Sequence, residues 1–281
     1  MLEKSPRRMQ LANEWPKLLH PPPPESTSER WSIVLPFCET LGTAFEVMCS
    51  VDTIGVREGR AGRCYTFLRT KEESDFEQVR LWHQTVGQYV ALRDCLPLSF
   101  ALDYDREGGS PKKNQTRIGK LRSRAKPYDG APTLDTVEAA NELNRECLSF
   151  LEAMSCYDEV DAVVGMPPSR PDKRFDLPRH LARGISSGLK VADLSEGVVS
   201  VERQQLKNVL LADKLSTIRG TIRVVGSSVA GRTVLLVDDL YQSGVTMNYV
   251  AGELLSAGAR TVLGLACEKT CRNDDNVSAN A

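Results

Sequence analysis

Residues 234–246, Val-Leu-Leu-Val-Asp-Asp-Leu-Tyr-Gln-Ser-Gly-Val-Thr, constrain the fold of this chain more than any other stretch. Four apolar residues in a row, Val234 to Val237, read as a strand covered on both faces, which is the signature of a buried parallel sheet. Asp238 and Asp239 follow at its carboxyl end. A short loop with Ser243 and Gly244 comes next, and a helical pattern runs from Thr246 to Ala257. The N–H groups of such a loop and of the helix start attract phosphate. The carboxylates accept hydrogen bonds from sugar hydroxyls, at roughly 1.5–3 kcal/mol for each charge-assisted bond. The order of parts therefore describes a seat for a sugar phosphate. The bland alternative is a ligand-free strand–loop–helix, but adjacent acids at a strand end repel one another and require a reason to be there. A P-loop is excluded, because no Gly-Lys-Ser/Thr follows.

The rest of the chain from Thr133 onward has the alternation of an α/β domain. Thr133 or Asp135 caps a helix whose apolar stripe runs through Leu134, Val137, Leu143, Cys147, Leu151 and Met154. Residues 161–166 form a short strand ending at Pro167-Pro168. Residues 175–185 are helical, with Pro178 in the first turn. Residues 197–200, 221–225 and 261–266 are strand-like, and 202–215 is amphipathic, either a helix or a mobile lid. The alternation implies a parallel sheet with right-handed crossovers and ligands beyond the carboxyl ends of its strands. Both Asp238-Asp239 and the turn Met166-Pro167-Pro168-Ser169-Arg170 fall there.

Before this, the proline run 21–24 marks residues 1–30 as a flexible end, and residues 31–110 are mixed α/β. There, 45–51 alternates like a strand, 63–69 reads as a second, and Phe76, Val79, Trp82, Val86 and Val90 recur at helical spacing. This region is either an accessory unit or the first part of the main domain, which is expected over 111–281. Residues 110–127 carry Lys112, Lys113, Arg117, Lys120, Arg122, Arg124 and Lys126 with no acid among them. The run reads as a solvated basic loop or as a surface for an anion: pyrophosphate, a nucleotide or a nucleic acid.

Composition narrows the setting. The formal net charge of −1 excludes an overall electrostatic trap for nucleic acid. No apolar run is long enough to span a membrane, and residues 1–15 lack the apolar core of a signal peptide, so a cytoplasmic protein is expected. The eight cysteines are scattered without a Cys-x-x-Cys pair, which points to isolated reduced thiols rather than to zinc.

The hydrophobic run, paired acids and Ser243-Gly244-Val245-Thr246 turn resemble the phosphoribosyl-pyrophosphate (PRPP) signature of type I phosphoribosyltransferases. The resemblance implies that Asp238 and Asp239 hold the ribose hydroxyls, and that Tyr241, Gln242, Ser243, Gly244, Val245 and Thr246 cradle the 5′-phosphate. Lys173-Arg174-Phe175-Asp176 with Leu181-Ala182, the segment 204–224, and Arg117-Ile118-Gly119-Lys120-Leu121 with Lys126-Pro127-Tyr128 are similar to stretches of the ComF family of phosphoribosyltransferase-like proteins. The zinc module common at the start of those proteins has no counterpart here. Gln242 stands where purine-salvage relatives carry an aspartate proposed as general base, and a glutamine cannot take a proton.

On this resemblance the chain is an α/β enzyme that transfers a phosphoribosyl group to or from an unidentified base or amine. Mg²⁺ would accompany PRPP, with Asp238 and Asp239 in indirect contact. Pyrophosphate would meet Pro168, Ser169 and Arg170, with Lys126 and Lys207 as further cations. The transition state is oxocarbenium-like at the anomeric carbon, stabilised by the paired acids. A homodimer is implied, as is common in that superfamily. The competing reading is a non-catalytic sensor of PRPP or a ribonucleotide, acting with nucleic acid or a protein partner through residues 112–126. Either reading requires the twin acids to face an open space rather than to neutralise a core arginine.

Overall fold

The computed structural model describes residues 17–19, 32–59, 64–69, 72–127, 131–170, 174–202, 206, 209–226 and 228–271. The expectations placed on residues 1–16 and 20–30, on Tyr128, on Lys173 and on Lys207 lie outside the described residues.

The chain starts with an antiparallel layer. It contains β1 (Lys17–Leu19), β2 (Ser32–Leu35), α1 (Glu39–Met48), β3 (Arg57–Glu58), β4 (Cys64–Phe67) and α2 (Glu73–Val86). The strands lie in the order β1-β2-β4-β3. The strand expected over 45–51 is corrected: Phe45 to Met48 end α1. Leu41, Ala44 and Phe45 are buried together at helical spacing while Val47 faces outward, so the short alternation was one turn of an amphipathic helix. Phe45 meets Trp82 of α2 edge to face, with centroids 5.2 Å apart. A second correction concerns the cysteines. Cys38 and Cys64 form a disulfide, Cα–Cα 5.4 Å. Cys38 stands just before α1, and Cys64 opens β4 opposite Leu35 of β2, so strand pairing brings the two together.

The main sheet follows. In chain order come β5 (Val90–Ala91), β6 (Ser99–Tyr104), α3 (Arg117–Arg124), α4 (Leu134–Ala153), β7 (Ala162–Gly165), α5 (Leu177–Leu189), β8 (Ala192–Asp193), β9 (Val198–Ser200), α6 (Leu211–Ile218), β10 (Ile222–Val224), β11 (Thr233–Tyr241), α7 (Val245–Ser256) and β12 (Thr261–Lys269). The sheet order is β5-β6-β12-β11-β7-β8, parallel except for β5 against β6. It therefore takes strands from both sides of the boundary expected at residue 110. The strand periodicity sets its two faces. Val163, Leu235, Val237, Leu263 and Leu265 point into a core shared with α1 to α5. Ala162, Val164, Val234, Leu236 and Val262 point into a second core with α7, Ile218 and the β9–β10 pair. This is why the middle of β7 and β11 is apolar at consecutive positions rather than at every second one.

The basic stretch expected as a loop contains α3. Thr116 caps it, its hydroxyl accepting from Gly119 N. The strands expected over 197–200 and 221–225 are not members of the parallel sheet. β9 and β10 pair antiparallel with each other, and the Ser200 hydroxyl donates to Pro168 O, tying this hairpin to the turn after β7. Of the amphipathic 202–215 segment, the part from Leu211 onward is helical in α6.

One glycine sets a close approach. A Cβ on Gly165, the last residue of β7, would stand 2.6 Å from Pro178 O. Its absence lets the first turn of α5 close against the strand end, which fixes where the Pro167–Arg170 turn begins.

Candidate functional site

Beyond the carboxyl ends of β11 and β7 lies a cavity of about 800 Å³, within the range of small-ligand sites. The 238–244 segment forms its floor and Met166–Arg170 one wall. Arg122, Ser123 and Lys126 of and after α3 form another, with Arg174–Pro178, Leu206 and Lys214 closing the remainder.

The phosphate-loop candidates are brought together at one end. Gly244 adopts φ 75° and serves as N-cap of α7, without a side-chain cap. Only glycine takes that conformation at no steric cost. Its left-handed turn aims the first amides of α7, which by construction have no partner inside the helix, into the cavity. Ser243, Gln242 and Thr246 line the same space. Tyr241 lines it too, with its side chain buried, whereas Val245, also buried, is not among the lining residues. The Tyr241 hydroxyl donates to Asp94 Oδ2 at 2.9 Å. Asp94 also accepts from Leu96 N, and burial pushes its carboxyl up to about 6. Asn248 ties the same turn down, its Oδ1 accepting from Cys95 N and its Nδ2 donating to Gly244 O.

The two acids face the cavity, as required, yet their states differ. Asp239 lies on the same side of β11 as Leu235 and Val237, toward α3. Its Oδ2 accepts from Arg122 Nε at 3.1 Å and from Lys126 Nζ at 2.9 Å. Burial alone would raise its pKa, but Lys126 and Arg122 overcome that and lower it to about 2. Asp238 is partly buried, and its Oδ1 accepts from Asp239 N. Burial first, then the charge of Asp239, pushes it well above the usual carboxylate range. The pair thus holds one firm negative charge and one carboxyl that favours its proton.

Arg122 is the functional residue that sequence reading missed as an individual. It is mostly buried and also meets Glu268 Oε1 at 3.2 Å. Glu268 is the last residue but one of β12, beside Leu240; it is itself buried, and is raised to about 7 by burial against the pull of Arg122. An arginine does neutralise Asp239, but it lines the cavity rather than the core, so the contact belongs to the site.

Of the seven basic residues in the 112–126 run, four are turned to acids of this chain. Arg117 pairs with Glu142 and Glu146, Arg124 with Asp135, Arg122 with Asp239 and Glu268, and Lys126 with Asp239. On the opposite wall Pro168, Ser169 and Arg170 line the cavity, with Arg170 exposed. Among the described residues no group of three His, Cys, Asp or Glu side chains is placed to hold a metal, and no helix is long and apolar enough to cross a membrane.

No family model matches the chain, and no curated protein matches it. Among solved structures it is similar to hypoxanthine phosphoribosyltransferase from Trypanosoma cruzi, with 14% identity over 58% of this chain and 74% of that one, TM-score 0.31. It is also similar to the HGPRT-ase of Leishmania tarentolae in complex with GMP, with 16% identity over 50% and 72%, TM-score 0.30. A third is the glutamine PRPP amidotransferase of B. subtilis complexed with ADP and GMP, with 15% identity over 84% of this chain and 46% of that one, TM-score 0.37. Superpositions this loose fix no residue, and the site stands on its own geometry.

Proposed function

We propose that the cavity binds PRPP and that the chain is a phosphoribosyltransferase-like enzyme of the type I class. The observation that carries this reading is the meeting of two unlike subsites around one acid pair. At one end the uncapped start of α7 and Ser243 offer donors to a phosphate. Elsewhere around the cavity, Arg122 and Lys126 on one wall and Ser169 and Arg170 on the opposite wall offer further donors, suited to a diphosphate. Asp238 and Asp239 lie between, where the ribose of such a ligand would rest. Lys207, also expected on the pyrophosphate side, is not among the described residues.

Each group has a task in that arrangement. Asp239 accepts from a ribose hydroxyl. Asp238, whose carboxyl is pushed up by burial and by Asp239, accepts when ionised and can also donate when it carries its proton. As the bond to pyrophosphate lengthens, positive charge grows on the sugar and negative charge on the leaving group. The acid pair faces the first and Arg122 with Lys126 the second, so both are stabilised more in the transition state than before it. Mg²⁺ would arrive with the diphosphate and balance its charge. The donor set fits this role, since Mg²⁺ is usually held by one or two carboxylates and substrate phosphates rather than by a protein cage. The acceptor is a base or amine with its own nucleophilic nitrogen, because Gln242 cannot remove a proton.

The test is calorimetry with PRPP and Mg²⁺ on the protein and on Asp239→Asn, followed by an assay for pyrophosphate release with a panel of bases and amines. Asp239→Asn removes the charge that holds Arg122 and Lys126 in place and weakens PRPP about a hundredfold or more. Unchanged affinity would refute the site. PRPP binding without release of pyrophosphate for any acceptor would favour the sensor reading. The pairing of four of the seven basic residues with acids of the chain leaves less charge for a nucleic-acid partner than the sequence implied.

A further inference from the structure

Lys214 and Lys269 are the most deeply buried charges among the described residues that the mechanism above does not use, and of the two only Lys214 lines the cavity. Lys214 sits in α6 and is 1% exposed. Its Nζ donates to Ser243 Oγ at 3.3 Å, one residue before the N-cap of α7. Two physical terms disfavour an ammonium there. Burial strips its hydration, and the positive end of the α7 dipole repels it. An anion seated on the first turn of α7 offsets both at once. The helix end alone supplies only about half an elementary charge, whereas a phosphate monoester carries nearly two at neutral pH. A lysine in contact with the loop closes most of that difference.

We propose that Lys214 is a binding residue for the 5′-phosphate, reaching the loop from the separate helix α6 and setting the preference of the site for a phosphorylated sugar. The proposal rests on the reading of the cavity as a PRPP site. It adds a side-chain cation to a subsite otherwise made of backbone amides and hydroxyls. It also makes α6 part of the ligand shell, since the helix and the loop then share one anion.

The experiment is calorimetry on the full chain with two ligands, PRPP with Mg²⁺ and inorganic pyrophosphate, comparing the unaltered protein with Lys214→Met. Pyrophosphate lacks the 5′-phosphate and reports the other subsite. The expected result is a loss of about tenfold or more in PRPP affinity, with pyrophosphate affinity unchanged. Lys214→Gln decides the same question if the methionine variant does not fold. Equal PRPP affinity in the variant, or an equal loss for both ligands, overturns the assignment, because the lysine is then either idle or a strut for the whole cavity. If the unaltered protein binds no PRPP, the proposed function fails, and Lys214 with it.

Discussion

The carboxyl edge of the main sheet and the antiparallel layer over residues 32–86 use charge in opposite ways. Around Asp239, Arg122 and Glu268 lie close together and largely out of water, while Lys126 reaches the acid from an exposed position. In the layer, Ile33, Leu35, Leu41, Phe45, Phe76, Val79 and Trp82 are buried against one another, and ion pairs such as Arg80 with Glu73 and Glu77 lie on the surface. Buried charges cost desolvation that apolar packing of the same volume avoids. The layer is thus a source of stability, and the sheet edge holds a costly arrangement that the proposed ligand would complete. The layer's side chains share the core on one face of the main sheet, so they brace the sheet without lining the cavity.

Three further measurements can break or sharpen this contrast. The largest effect is expected for Phe45→Ala, which empties a well-packed aromatic site in the layer. It costs about 3–5 kcal/mol of unfolding free energy and leaves the PRPP affinity of the folded protein unchanged; a parallel loss of affinity would show that the layer shapes the site. Next comes reduction of the Cys38–Cys64 disulfide, which spans 26 residues. Denaturant unfolding with and without reductant should differ by roughly 3 kcal/mol, again with PRPP affinity intact. The smallest effect is a slope. Glu268 has a folded pKa of about 7 against an ordinary 4.5. Between these values the folded state binds more protons than the unfolded one, so this residue's contribution to stability is complete below about 4.5 and lost as pH rises through 7. The stability of Glu268→Gln relative to the unaltered protein should therefore improve from pH 5 to pH 8. A flat difference would mean that Glu268 is not held in a protonating environment.

Legibility in the sequence followed distance along the chain. The strand, the twin acids and the Ser243–Gly244 turn are adjacent residues, and their chemistry could be read directly. The helices over 73–86, 134–153 and 177–189 showed through their apolar spacing, and Thr133 and Pro178 take the cap and first-turn places expected of them. Arg122 is 117 residues from Asp239, and Lys214 is 29 residues from Ser243 across two strands. No local pattern reports such meetings. The one available signal for Arg122 was the dense basic run, which pointed to an anion but not to which one. The Phe45–Val51 error has a different cause, since two apolar positions two residues apart satisfy a strand and half a helical turn alike. The disulfide was out of reach because cysteine spacing alone does not give connectivity.

The double grip of Arg122 and Lys126 on Asp239 gives the empty pocket a latch. A sugar that arrives alone must pull the acid away from both cations and leaves them stranded. A diphosphate that arrives alone draws the cations off and leaves the acid bare. A molecule bearing both parts swaps every contact in one motion, with nothing left unmatched. On the proposed reading, ribose phosphates and free pyrophosphate would each bind more weakly than the compound that joins them.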